Sequence, residues 1–217
     1  MQYKRLFLCV LAIVLCSHSL HAQYDFSLPT PSGQILYYQI LGEGDSLRVT
    51  HPERKWPYYS DNKPVGELSI PQSVTYKGKI YRVVEIGSNA FYGCDSLTKV
   101  SNRSIQRVGA QAFCGCVSLE EFDFHVGLLV IGEGAFAYCR SLKEVILCGN
   151  LEYLGISAFS MCTGLQMVAI HPDCDELWDA TTFYGCPMMK DAKKREKGEK
   201  VWSFWDSGHD VHDFILH

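Results

Sequence analysis

The phrase Ala-Phe-x-x-Cys-x-x-Leu returns four times at a nearly constant interval. It reads Ala90-Phe91, Cys94, Leu97; Ala112-Phe113, Cys116, Leu119; Ala135-Phe136, Cys139, Leu142; and Ala158-Phe159, Cys162, Leu165. A worn fifth copy follows at Thr182-Phe183, Cys186 and Met189. Successive phenylalanines are 22, 23, 23 and 24 residues apart. A period of about 20–29 residues belongs to solenoids, in which each unit hides its apolar face only by stacking on its neighbours. Such a chain works through a repetitive surface, and the repeat alone does not name what that surface meets.

Each repeat has two parts. The first is Leu-x-x-Φ-x-Φ, where Φ is apolar: Leu119, Phe122, Phe124; Leu142, Val145, Leu147; Leu165, Val168, Ile170. Leu97 and Val100 begin the same phrase, which is then left at Ser101-Asn102. This alternation, with large or β-branched residues inward, reads as a strand. The second part is Φ-Gly ahead of each Ala-Phe, at Ile86-Gly87, Val108-Gly109, Ile131-Gly132 and Leu154-Gly155. Glycine there suits either a positive φ or a close approach of two backbones. Ala, Phe and Cys at i, i+1 and i+4 place an apolar cluster on one side of a short helical turn. Strand, turn, short helix and return close one coil.

The composite Ile-Gly-x-x-Ala-Phe-x-x-Cys-x-x-Leu-x-x-Val resembles the BspA-type (Treponema-like) leucine-rich repeats of bacterial secreted and cell-surface proteins. The resemblance is strong over 86–170 and weaker up to Met189. It departs from the family pattern at 101–105, where an apolar-Pro step is missing, and at Leu177-Trp178, where a glycine is missing. The expected fold is an α/β-type solenoid: a leucine-rich repeat array with a concave parallel β-sheet and short helical turns on the convex side. A β-rich N-terminal cap is expected too, because a bare first coil exposes an apolar face and a strand edge. Within it, 34–41 and 47–50 read as strands around Gly42-Glu43-Gly44-Asp45, and 74–76 with 79–85 as a hairpin about Lys77-Gly78. Glu67-Leu68-Ser69-Ile70-Pro71 reads as a repeat-like strand ending. The divisions expected are a leader at 1–22, the cap at 23–85, about five coils over 86–190, and a C-terminal cap over 191–217 that begins with a charged run.

Lys4 and Arg5, the apolar run 6–15 and the ending His21-Ala22-Gln23 make a secretory signal peptide, cleaved after Ala22. The run is shorter than the roughly 20 residues that span a bilayer. Cys9 and Cys16 follow leucines, where lipidation would need a small residue. Without Lys4 and Arg5, 18 of the 20 basic residues face 24 acidic ones, a formal charge of −6. That balance argues against nucleic acid or an anionic membrane as partner. Export, to the medium, cell surface or periplasm, is the expected fate.

Eight cysteines remain beyond the leader. An exported chain with that many suggests disulfides. Five of them, however, hold one repeat position, and equivalent side chains in stacked coils run parallel rather than converging as a disulfide requires. The expectation is a buried ladder of reduced thiols, with Cys114, Cys148 and Cys174 outside it.

The working surface is expected on the concave strand face. Outward positions there are Lys99 and Ser101, Glu121 and Asp123, Glu144 and Ile146, and Met167 and Ala169, with Glu120 and Lys143 alongside. They compose an acidic patch grading into an apolar edge, suited to a partner or equally to an ordinary solvated face. Trp56, Tyr58 and Tyr59, and later Trp202, Phe204 and Trp205, could stack on sugars, anchor a protein, or simply pack the caps. Trp178 is expected to fill the space left by the missing glycine. His209-Asp210 and His212-Asp213 have metal-ligand chemistry but no third ligand at a recurring spacing, and no C-x-x-C pair occurs. No nucleophile elbow or phosphate-cradling loop is visible, so neither enzyme activity nor a cofactor is expected. The resemblance implies binding to an extracellular protein or surface glycan, with adhesion the natural role. The alternatives are a structural spacer of the cell surface, or an enzyme whose site sits on loops.

Overall fold

The computed structural model describes residues 23–190 and the backbone of one strand at 203–206. The leader at 1–22, the two His-Asp pairs and the rest of 191–217 lie outside the described residues. The chain opens with β1 (Phe26–Pro29), β2 (Ile35–Leu41) and β3 (Ser46–Thr50), an antiparallel meander with Gly42 at φ 62 where β2 turns. Phe26 stacks on Tyr38 and Tyr76, with centroids 5.3 and 3.9 Å away. β4 (Gly66–Ser69) follows, then the hairpin of β5 (Ser73–Tyr76) and β6 (Lys79–Ile86). Its turn residues Lys77 and Gly78 both have positive φ (48 and 79), the backbone twist that tight hairpins favour. β3 then pairs with β6 in parallel, and this joint carries the cap into the coils.

The coils contribute β7 (Leu97–Ser101), β8 (Arg107–Val108), β9 (Glu121–Phe122), β10 (Val130–Ile131), β11 (Glu144–Leu147), β12 (Tyr153–Leu154) and β13 (Met167–Ile170). β14 (Ser203–Asp206) lies antiparallel beside β13. Two strand layers result. The short strands just before each glycine extend the cap sheet in the order β1-β2-β3-β6-β8-β10-β12, with β5 paired to β6. The Leu-x-x-Φ-x-Φ strands form the other layer, in two three-stranded sheets, β4-β7-β9 and β11-β13-β14.

The expected single concave sheet is therefore divided between β9 and β11. Just past β9, the Phe124 N–H bonds the Phe122 carbonyl and the His125 N–H bonds the Asp123 carbonyl, both at 3.1 Å. Bonds two residues back fold the chain too tightly for a strand and withdraw those amides from the ladder. The Lys143 N–H, 3.1 Å from the Glu120 carbonyl, still bridges the two halves.

The Ala-Phe-x-x-Cys segments are not helical. Gln111, Gly115, Gly134, Tyr138, Ser157 and Met161 have φ between 55 and 76, which no right-handed helix contains. The amides of Phe91, Phe113, Phe136 and Phe159 donate to the next coil, to the carbonyls of Ala112, Ala135, Ala158 and Thr182, at 2.7–2.9 Å. The amides between them close three-residue turns, as when Ala135 donates to Gly132 at 3.2 Å and Cys139 to Phe136 at 3.2 Å. Every second amide is committed across the coil boundary, so bonds four residues back cannot form. The left-handed residues make that alternation possible.

Inside, Phe91, Phe113, Phe136, Phe159 and Phe183 stack as one column, with centroids 5.1–5.4 Å apart and planes within 15°. Phe122 meets Phe113 and Phe136 edge-on. The four Φ-Gly glycines are set by close approach and not by positive φ. A Cβ on Gly109, Gly132 or Gly155 would lie 2.2–2.5 Å from a backbone nitrogen of the coil before it.

Candidate binding surface on the strand face

Pairing puts the outward side chains into rows. Glu67, Lys99 and Glu121 are register mates across β4, β7 and β9, and Glu144 and Met167 across β11 and β13. Ser69 pairs with Ser101, and Ile146 with Ala169. Glu121 and Glu144 are exposed, while Lys99, Ser101, Asp123, Ile146 and Met167 are partly so. Ala169, expected to face solvent, is only 2% exposed although it stays in the outward row beside Ile146. It pairs in register with Phe204 of β14, so backbone lies on both of its flanks.

The face is not a bare acidic patch. Lys99 bonds Glu121 and Lys143 bonds Glu120, each reaching across one coil step. The bond to Glu121 raises the Lys99 pKa and lowers that of Glu121, and the bond to Glu120 raises that of Lys143. Among the described residues Asp123 and Glu144 make no such bond to a lysine, and Glu67 joins the row from a strand that the sequence placed in the cap. The surface thus offers paired charges, two carboxylates and an apolar border at Ile146 and Met167, on backbone fixed by the strands.

The core residues expected from the repeat are all buried: Phe91, Cys94, Leu97, Phe113, Cys116, Leu119, Phe136, Cys139, Leu142, Phe159, Cys162 and Leu165. The sulfurs do more than fill space. Cys116, Cys139, Cys162 and Cys186 each donate to the phenylalanine carbonyl of the preceding coil, at Phe91, Phe113, Phe136 and Phe159, all at 3.1 Å. All eight described cysteines are free thiols. Burial raises the pKa of Cys116, Cys139 and Cys162 well above the ordinary value, that of Cys94 to about 12 and that of Cys186 to about 11. Thiols held protonated are poor nucleophiles. Cys174, outside this ladder, donates to the Cys148 carbonyl at 3.0 Å and makes a short second rung.

The aromatic loop divides. Tyr59 is buried and its hydroxyl donates to the Ala90 carbonyl at 2.7 Å, and Tyr58 packs on His51 and Tyr92. Trp56 alone of the three stays open, at 73% exposure. Trp178 is buried and meets Phe183 edge-on at 6.2 Å, as a space-filler should. Trp202 lies outside the described residues, and Phe204 and Trp205 are placed by backbone only. The sequence did not single out His51, which is buried with its Nδ1 at the Glu53 carbonyl; desolvation lowers its pKa. Its only advance signal was its place just after the third strand. Among the described residues no three His, Cys, Asp or Glu side chains gather as a metal site, and no helix is long and apolar enough to cross a membrane.

The BspA-type leucine-rich repeat region matches residues 61–190 in six copies, which takes in the β4 segment. Among solved structures, a leucine-rich repeat protein from Bacteroides ovatus is similar at 25% identity over 75% of this chain, with a TM-score of 0.54. Another from Bacteroides capillosus is 26% identical over 65% of this chain and 96% of its own length, with a TM-score of 0.51. The chain matches 45% of the Bacteroides ovatus protein's length. No curated protein matches the chain.

Proposed function

We propose that this chain, which belongs to the BspA-type leucine-rich repeat family, is an exported, non-catalytic module that binds an extracellular protein through its strand face, in an adhesive role. The observation that carries the reading is the set of rows just described: Glu67, Lys99 and Glu121 on three adjacent strands, and Glu144 and Met167 on two more, with Ile146 beside them. A rigid ladder presents them together, so little ordering accompanies binding. Paired charges next to partly exposed apolar side chains complement a protein surface better than a sugar chain, because protein interfaces combine an apolar centre with a polar rim.

The test is a screen of the purified chain against immobilised extracellular-matrix proteins, followed by the double variant Glu121→Lys with Glu144→Lys. Affinity should fall about tenfold or more at low salt and less at high salt, since exposed charges act within a Debye length of about 10 Å. Stability should barely move, because exposed pairs contribute about 1 kcal/mol or less. Equal affinity of parent and double variant at low salt would remove the strand face from the account. A screen with no protein ligand would favour the spacer reading.

A further inference from the structure

The last turn of the array ends in two backbone donors. In each earlier turn, N–H groups two residues apart reach the carbonyls of the next coil. Phe91 and Gly93 donate to Ala112 and Cys114, and Phe113 and Gly115 to Ala135 and Ala137, at 2.7–2.8 Å. Phe136 and Tyr138 donate to Ala158 and Ser160, and Phe159 and Met161 to Thr182 and Tyr184, at 2.7–2.9 Å. Phe183 and Gly185 hold the same two places in the fifth turn, and their N–H groups meet no acceptor among the described residues. Phe183 is only 5% exposed. A backbone donor so nearly buried is seldom left unpaired, so this end of the ladder is a template for two more carbonyls.

Beside the two donors lies a recess of about 580 Å³, bounded by Trp178, Phe183, Tyr184, Pro187 and Met189. Trp178 and Met189 are buried, while Tyr184 is 68% exposed. A solenoid's terminal coil needs such an end covered.

The chain's own path brings a candidate to it. β14 runs antiparallel to β13 and ends with Asp206 opposite Met167. It also touches the Pro187–Met189 turn, two of whose residues line the recess. The chain beyond Asp206 therefore departs from the edge of the recess. Residues 207–217 read Ser-Gly-His-Asp-Val-His-Asp-Phe-Ile-Leu-His, apolar at Val211 and again at Phe214-Ile215-Leu216. Seven residues take the chain from Asp206 to Asp213, up to about 25 Å when extended, against about 10 Å between packed sheets. The stretch before β14 is unsuited, because 191–200 reads Asp-Ala-Lys-Lys-Arg-Glu-Lys-Gly-Glu-Lys. In the earlier coils each pair of acceptors flanks one apolar residue, as Ala112 and Cys114 flank Phe113. Asp213 and Ile215 flank Phe214 in the same way.

We propose that residues 213–215 cap the C-terminal end of the array. The Asp213 and Ile215 carbonyls accept the Phe183 and Gly185 N–H groups, and the Phe214 side chain enters the recess. Backbone bonds set the register and one aromatic side chain supplies the burial, as when an extended segment adds to an open sheet edge. The segment stands in for a sixth coil and keeps the two donors from pairing with another chain. It uses none of the strand-face residues and stands independently of the binding role proposed for them.

The test is hydrogen exchange followed by NMR on the purified chain, for the parent, Phe214→Ala and Phe214→Leu. In the parent, the Phe183 and Gly185 amides should exchange slowly, as those of Phe136 and Tyr138 do inside the array. Phe214→Ala should speed exchange at Phe183 and Gly185 by about tenfold or more, because truncating a buried ring favours local opening. It should leave Phe136 and Tyr138 unchanged. Phe214→Leu, which keeps a large apolar side chain, should retain most of the protection. Fast exchange of Phe183 and Gly185 in the parent, or equal protection in the parent and Phe214→Ala, would overturn the proposal. An acceleration shared equally by all four amides would do the same, since it would report general loosening. Protection that fades on dilution would also overturn it, by making a second copy the occupant.

Discussion

Replacing Gly132 with alanine adds one methyl group and should cost more than most core truncations. The new Cβ would stand 2.5 Å from the Ala110 nitrogen, 2.7 Å from the Gly109 carbonyl carbon and 2.9 Å from the Ala110 Cα. All three are backbone atoms of the preceding coil, so no side chain can swing away. Relief requires the coils to part locally by roughly 0.5–1 Å, given that carbon atoms pack at about 3.5–4.0 Å. Two bonds cross the boundary at that point: Gly132 N–H to the Val108 carbonyl and Gln111 N–H to the Glu133 carbonyl, both 2.8 Å. Overpacking costs about 1–3 kcal/mol, and each weakened hydrogen bond about 1 kcal/mol more. The total is about 3–5 kcal/mol. At about 2–4 °C per kcal/mol for a chain of this size, Tm should fall by about 6 °C or more. Elsewhere a glycine-to-alanine change tends to stabilise, through the unfolded state, so the sign itself is diagnostic. Gly134→Ala is the control. Its nearest neighbours would be the Gln111 Cγ at 3.6 Å and the Ala137 Cβ at 3.8 Å, and only its φ of +56 opposes the change. It should lose about 1–2 kcal/mol. Thermal and urea unfolding followed by circular dichroism measure both. If Gly132→Ala melts within a degree or two of the parent, or above Gly134→Ala, the coils are not in backbone contact there.

Other expectations follow from the same geometry. Phe136→Ala removes the ring between Phe113 and Phe159, at 5.2 and 5.4 Å, and should cost about 3–5 kcal/mol, a shift that urea denaturation would read. Thiol titration of the native protein should label few of the eight described cysteines, and denaturant without reductant should release them; no release would mean disulfides. Stability should decline as pH rises above about 9. The folded thiols of Cys94 and Cys186 stay protonated to about 12 and 11, whereas unfolded thiols ionise near 9, so the unfolded state binds fewer protons in that window. Each such thiol contributes a slope of at most about 1.4 kcal/mol per pH unit. Urea midpoints at pH 8 and pH 10 check this, and equal midpoints would show that the thiols are not buried.

The solenoid was legible because one phrase recurs, and recurrence fixes which residues stack. Phe91 through Phe183 and Cys94 through Cys186 share positions in the phrase and form the two internal columns. The helical turns were misread because Ala, Phe and Cys at i, i+1 and i+4 fit a helix face equally well. Gly93, Gly115 and Gly185 just before cysteine held the contrary signal, but Tyr138 and Met161 at that position disguised it. The choice between positive φ and close approach at Gly109 and Gly132 depends on the neighbouring coil, which local sequence does not contain. On the strand face, alternation placed Glu121, Glu144 and Ile146 outward as found. The Lys99–Glu121 bond follows once register is known, because the two occupy equivalent places one repeat apart. Burial of Ala169 was not legible, since it depends on a strand 34 or more residues further along the chain.

Carboxyl footprinting of the chain with and without its protein partner tests the functional account most directly. A carbodiimide and an amine would tag exposed acids, and mass spectrometry would report each site. With partner bound, labelling should fall at Glu121, Asp123 and Glu144 and stay unchanged at Glu43 and Asp45, which are exposed on the cap turn between β2 and β3. Labelling at the three strand-face acids that does not change on binding, or protection confined to Glu43 and Asp45, would contradict it.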